Sequence, residues 1–503
     1  LGSMHFRGQG GPQDFAEARR LFQMAADLGS AAARTNLARM HMKGEGGPED
    51  FVEARRLLDL AIEQGDDDAQ VVLGHMYFNG HGAPTDFAEA RRAYGAAAER
   101  GHADAQTMLA AMHFYGEGGG KDAVEARRLY GLAAAQGDAK AQADLGTMHY
   151  SGEGGPRDFV EARRLHGLAA AQGRDDAQVT LGHLHFNGQG GPADHAEARR
   201  WFGLAADQGL VAEAQTNLGY LFLHGKGGSV DRAEARRLFG LAAAQGDEKA
   251  TADLGLMHFH GQGGPEDFKE ARRLFATAAA MGSAEARAML GKMHGSGMGG
   301  PVNFAEARRL LGLAAAQGRE DAQARLGTMH YYGQGGPVDF AEAKRCAEPA
   351  AAQGHAEALS MLGTIHHNGD GGPQSFNVAR RLLALAAAQD DAKAQTLLGV
   401  MEARGESGCK DYAEARRLLG LAVAQSHADA QEKLGVLHEQ GQGGPTDLAE
   451  ARRLFELAAA QGLAAAQTSL ARMHIAGTFN GAPGGPTDFA EARRLIGLAS
   501  EQG

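Results

Sequence analysis

Histidine recurs at one register along the chain: His5, His41, His113, His149, His185, His258, His294, His330, His366, His438 and His474, with Tyr77, Phe222 and Glu402 in the gaps. Imidazoles in file suggest metal ligation or pH sensing. A shared ion needs donors about 3–4 Å apart, because ligand bonds run about 2.1 Å. Helices pack about 8–10 Å apart. No copy offers a second histidine one helical turn away, and His183/His185 and His258/His260, two residues apart, point to different sides. The aromatic substitutes favour packing, so the column is expected to be a half-buried structural ring. No metal and no cofactor is expected.

A second column pairs basic residues, the first of each pair at Arg19, Arg55, Arg91, Arg127, Arg163, Arg199, Arg236, Arg272, Arg308, Lys344, Arg380, Arg416, Arg452 and Arg493. A polyanion-binding ribbon is one reading. The other is a solvated face on which each arginine pairs with a nearby glutamate, as Glu53 lies three residues before Arg56. The net charge of −12 opposes phosphate neutralisation, and no aromatic residues interleave the stripe as base-stacking platforms. Nucleic acid is therefore a disfavoured partner. Phosphate-loop, G-x-S-x-G and H-E-x-x-H motifs are absent. The recurring G-x-G-G-P turns lack a preceding strand, and aspartates follow them where a phosphate would sit. No catalytic residue is nominated. Two cysteines, Cys346 and Cys409, cannot build a disulfide framework, and no run of 18 apolar residues offers a membrane span.

The basic pairs are spaced by 36 residues throughout, apart from one spacing of 37 and one of 41. A leucine anchor (Leu37, Leu73, Leu109, Leu145) keeps the same period. This defines about fourteen copies, the first truncated, and predicts one array over 1–503 without an internal boundary. The text opens inside a copy at Leu1, as a fragment would.

Each copy predicts two helices. Ala33, Leu37, Met40 and His41 make one apolar face. Gly44, Gly46, Gly47 and Pro48 break the first helix. Asp50 caps the second, with Glu53 at capping-box spacing, and Gly65 ends it. The cap is Asp in every copy except for Asn303 and Ser375, and the glutamate is replaced only by Val378. A methionine column (Met40, Met76, Met112, Met148, Met257, Met293, Met329) belongs to the core. Neither helix buries its apolar face alone, so neighbours must stack. The expected fold is all-α: an α-α superhelix, a right-handed α-solenoid of helix-turn-helix repeats.

The run Leu37-Ala38-Arg39-Met40-His41, followed by Gly44, Gly46, Asp50, Ala54, Ala61 and Gly65, resembles the Sel1-like repeat family, relatives of tetratricopeptide repeats. The resemblance spans essentially the whole chain and implies a protein–protein adaptor. His41 stands at the family's Tyr, Glu53 and Leu60 at its two Lys positions and Leu57 at its Trp. Secreted relatives clip each repeat with a disulfide. This chain cannot, which points to a reducing compartment and favours the cytoplasm.

At 100° per residue, positions two before, two after and five after the anchor leucine are expected to form the exposed stripe of the first helix. The second of these contributes Arg39, His75, Thr147, His183, Tyr220, Lys292 and Arg472; the third, Phe6, Phe78, Phe114, Tyr150, Phe186, Phe259 and Tyr331. A polar row beside an aromatic row suits a protein or peptide partner. Equally, the aromatics could cover the glycine-rich turns. The concave-face candidates are Arg39, His75, Phe78, Phe114, Tyr150, His183, Phe186, Tyr220, Phe259, Lys292 and Tyr331. The aromatic row fades at His367, Ala403, Glu439 and Ile475. Irregular copies cluster around 340–430: Pro349 is expected to kink a helix, Cys346 replaces an inward leucine, Asp390 and Ser426 replace capping glycines, and Cys409 replaces the loop proline. An insertion near Thr478–Ala482 enlarges one loop. The functional expectation is a non-enzymatic adaptor gripping a peptide or protein along a groove. The alternatives are a spacer array without a dedicated ligand, and a hydrolase like the relatives that carry a β-lactamase label.

Overall fold

The computed structural model describes residues 1–208, 211–406, 408–476, 478–479, 482–483 and 487–500. Among these are 28 helices and one antiparallel pair of two-residue strands, Thr478–Phe479 with Ala482–Pro483. The strands lie in the expected insertion, whose residues 480 and 481 fall outside the described set. The chain groups into two compact units, Leu1–Asp247 and Glu248–Gly503. Each is a succession of helix pairs, such as Ala31–Lys43 with Phe51–Glu63 in the first and Ala284–Ser296 with Phe304–Ala316 in the second. The first and second helices of a copy are called A and B below.

Local chemistry sets the boundaries. Asp50 accepts the Glu53 N–H at 2.9 Å, and the same bond recurs at Asp122 and Asp447. Asn303 does likewise, whereas Ser375 makes no such bond. The capping box is only half formed. Glu53 bonds Arg56, because the Asp50 N–H already donates to the His41 carbonyl at 3.0 Å. That backbone bond ties the foot of A to the head of B. Pro349 leaves its helix unbroken from Phe340 to Ala352.

The core is a column of alanines, leucines and methionines. Met40, Met112, Met148 and Met293 are each at most 2% exposed, as expected for core residues. Leu57 and Ala61 of the B helix are buried. Positions two before the anchor depart from expectation: Thr35, Val71 and Thr107 are buried. A helices of successive copies pack against one another as well as against B, so a helix surrounded on more than one side has a narrower exposed stripe than a one-faced amphipathic helix.

One core position carries a chemical misfit. Three residues after the first arginine stand Tyr94, Phe202, Phe239, Phe275 and Phe455, all buried against a glycine of helix A. His166 takes this place, 2% exposed, with neither ring nitrogen bonded. Burial pushes its pKa down to about 4. Because the folded value lies below the unfolded one, His166 is tolerated as a neutral ring above pH about 6.5. It costs stability progressively as pH falls towards 4. His166→Phe is expected to raise stability by about 1–2 kcal/mol at pH 7.5. The gap should widen by about 2 kcal/mol at pH 5, read by urea denaturation of both proteins. Asp390 (φ 62°) and Ser426 (φ 63°) are the described non-glycine residues at positive φ. Ser426→Gly should add about 1 kcal/mol in the same assay.

Candidate functional site

The paired arginines have two separate tasks. The second arginine of a pair forms the expected ion pair within its own helix, as Arg56–Glu53, Arg128–Glu125 and Arg164–Glu161 at 2.6 Å. These pairs are exposed and contribute little. The first arginine does not pair with that glutamate. In several described copies it reaches into the next copy and donates to the column histidine: Arg19 to His41 Nδ1 at 2.7 Å, Arg91 to His113 at 2.6 Å, Arg127 to His149 at 2.7 Å and Arg163 to His185 at 2.6 Å, whereas Arg416 bonds the Leu437 and Gln442 carbonyls and leaves His438 Nδ1 unbonded. In the second unit Arg272 reaches His294 at 2.7 Å, and Arg308 bonds His330. The same guanidinium donates to the carbonyl of the loop proline, as Arg19 to Pro48 and Arg127 to Pro156, both at 3.3 Å.

This contact explains the loop sequence. Gly46 has φ 72°, and a Cβ there would stand 2.2 Å from the Phe15 carbonyl of the preceding copy. A Cβ on Gly47 would stand 2.3 Å from Arg19 Nη1. The glycines let the turn lie on the helix before it. The exceptions in the histidine column keep an interaction with the same arginine. Arg55 lies over the Tyr77 ring at 5.1 Å, Arg199 over Phe222 at 3.6 Å, and Arg380 pairs with Glu402 at 2.8 Å. Hydrogen-bond acceptor, π-face and carboxylate all satisfy a cation. Burial and the facing arginine hold the pKa values of His41, His113, His149, His185, His294 and His330 below the ordinary imidazole value. Arginine only donates, so each bonded Nδ1 is an acceptor on a neutral ring.

A glutamine ladder escaped the sequence reading. Gln136 Nε2 donates to Gln106 Oε1 at 2.9 Å, and Gln106 donates to the Ala98 carbonyl at 3.1 Å. The motif recurs as Gln172–Gln142 and Gln425–Gln395. The signal was present as two glutamine columns spaced by 30 residues.

The concave-face candidates occupy two environments. Phe78, Tyr150, Phe259 and Tyr331 each meet the first residue of their own B helix edge to face: Phe87, Phe159, Phe268 and Phe340, with centroids 5.2–5.3 Å apart. Phe186 meets His195 at 5.0 Å. Phe114, opposite Ala123, turns to Tyr115. The aromatic row thus clasps the glycine turn, and its residues are half-buried or exposed. In the polar row, Arg39 is exposed, His75 bonds the Tyr94 hydroxyl at 2.8 Å, and His183 bonds Glu213 at 3.0 Å. Lys226 lies 5.0 Å from both the Phe186 and Tyr220 rings, and Lys292 lies 5.9 Å from the Phe259 ring.

In the second unit these rows open into a cleft of about 350 Å³ across successive A helices, lined by Thr328, Tyr331, Ser360, Met361, Thr364 and Lys393. Thr328 and Thr364 take the polar-row positions here. Tyr331 donates to Asp370 at 2.7 Å on its rim. Another cavity of about 410 Å³ lies beside Ala403 and Tyr412, where the aromatic row has lapsed and the clasping ring is missing.

The cross-copy arginine yields a paired test. Arg127→Ala should cost about 1–2 kcal/mol. His149→Phe should cost less than about 0.5 kcal/mol, because a phenylalanine already serves beneath Arg199. Urea midpoints of the two variants decide this.

The Sel1 repeat family model matches fourteen successive segments, from 1–30 through 31–66, 67–102 and onward to 464–503. The fold is similar to that of c5321, described as a protective antigen present in uropathogenic Escherichia coli strains displaying an SLR fold, at 28% identity and TM-score 0.75, over 89% of this chain and 90% of that one. A Sel1 repeat protein from Oxalobacter formigenes matches at 31% identity and TM-score 0.48, over 62% of this chain and 89% of that one. No curated protein matches the chain. With the periodicity, the helix pairs and the family model in agreement along its length, the chain belongs to the Sel1 repeat family.

Proposed function

We propose that the chain is a non-enzymatic scaffold that grips an extended peptide or a protein segment along the A-helix rows. Repeat solenoids of this type are commonly protein-interaction scaffolds. The observation that carries the reading is the cleft around Thr328, Tyr331 and Thr364. Thr328, Tyr331 and Thr364 bring the two variable rows into its lining, beside Glu357, Asp391 and Lys393. Half-buried aromatic side chains supply contact area at low entropic cost, and Lys393 with the threonines supplies hydrogen-bonding groups. In the first unit, Phe186, Tyr220 and Lys226 form a comparable aromatic–cationic patch.

The chain as it exists, panned against a displayed library of extended peptides, is expected to select binders of micromolar affinity. Thr364→Trp, which fills the cleft, and Tyr331→Ala should each weaken binding roughly tenfold or more, without moving the urea midpoint by more than about 1 kcal/mol. Arg273→Ala, on the outer helix, should leave binding unchanged. A library that yields no binder, or binders indifferent to both cleft variants, would favour a spacer without a dedicated ligand.

A further inference from the structure

Copy 320–355 differs from its siblings at one chemically consequential position. In sibling copies the column histidine lies near the glutamate at the head of the B helix, close enough for their charges to interact in His41/Glu53, His113/Glu125, His149/Glu161 and His185/Glu197. The third corner of that triangle is usually leucine, buried in Leu57, Leu129, Leu165 and Leu310. In copy 320–355 it is Cys346. The donor atoms of His330, Glu342 and Cys346 lie within 4.8 Å of one another, and they form the three-donor group of this kind among the described residues; a bound ion would draw them in to about 3–4 Å. We propose that His330, Glu342 and Cys346 form a binding site for a borderline-soft divalent cation, zinc above all, with a fourth position left for water.

The donor set carries the choice of metal. One thiolate, one imidazole and one carboxylate suit zinc or cobalt and disfavour magnesium and calcium, which take oxygen ligands. Two helices supply the ligands, so the site would staple A to B within the copy: His330 comes from Glu320–Tyr331, Glu342 and Cys346 from Phe340–Ala352. Glu342 and Cys346 stand four residues apart on one helix face, and the thiol donates to Glu342 Oε1 at 3.5 Å. Without metal the thiol keeps its proton, since burial and then Glu342 push its pKa up to about 11. Metal uptake breaks the S–H bond, forms the sulfur–metal bond and releases one proton to solvent.

Two cations compete for the ligands. Arg345 pairs with Glu342 and is mostly exposed, so it swings away at little cost. Arg308 bonds His330; in sibling copies the same arginine also donates to the loop proline carbonyl, an acceptor to which it can turn. Asp339, which also faces His330, offsets part of that positive charge.

Cobalt(II) titrated into the full chain at neutral pH, under reducing conditions, tests this. The expected result is a single strong site with a thiolate-to-cobalt charge-transfer band in the near ultraviolet, displaced by zinc. Cys346→Leu restores the sibling residue and so preserves folding; it should abolish the band and weaken binding roughly tenfold or more. Cys409→Ser, which removes the exposed second thiol, should change neither. Absence of the band, or a band that survives Cys346→Leu, would overturn the site.

Discussion

The structure depends on a guanidinium that crosses from one copy to the next. A helix pair closes its own core with alanine, leucine and methionine, yet apolar contact alone is non-directional and leaves copies free to slide. Where it meets the column side chain, the first arginine of a pair fixes the register. It can reach the histidine, tyrosine, phenylalanine or glutamate of the following copy only when that copy's glycine turn lies flat on the B helix. The turn lies flat only because Gly46 and Gly47 have no side chains. Each such bond contributes about 1 kcal/mol, and its repetition within each unit makes the contact consequential. In a repeat array stability grows from nearest-neighbour interfaces.

Sequence reading reached the repeat, its two helices and the methionine core because these follow from period and apolar spacing. It went astray where a residue's partner lies in another copy. Arg19 and Arg20 look alike in sequence, but one bonds across copies and the other along its own helix. Glu53 stands at capping-box spacing, yet a backbone bond from Asp50 to His41 pre-empts its task. Angular spacing on a lone helix places Thr35 towards solvent, and the neighbouring copy buries it against Asp66. The packing role of the histidine column was legible from its aromatic substitutes. Glu402 fits that column only once Arg380 is seen opposite it.

The same logic separates frame from function. Of the columns that hold the array together, the basic pair and the leucine anchor vary little, and the histidine column exchanges for tyrosine, phenylalanine or glutamate. The polar and aromatic rows of the A helices vary because few frame contacts constrain them, although the aromatics also clasp their own turns. That double use explains why Phe78 or Tyr331 reads equally well as packing and as contact surface. The departures from the repeat are informative for the same reason. His166 places an unbonded imidazole in a phenylalanine position, and Cys346 places a sulfur beside a histidine and a carboxylate that the frame already brings together.

The most direct measurement is a double-mutant cycle on Arg127 and His149, in which His149 is replaced by glutamate to imitate Glu402. If the cross-copy cation is the registering contact, glutamate at 149 is supported by Arg127 and becomes costly when Arg127 is alanine, giving a coupling energy of about 1 kcal/mol or more at pH 7. A coupling of zero would contradict the account, because the arginine would then be indifferent to whatever the next copy places before it.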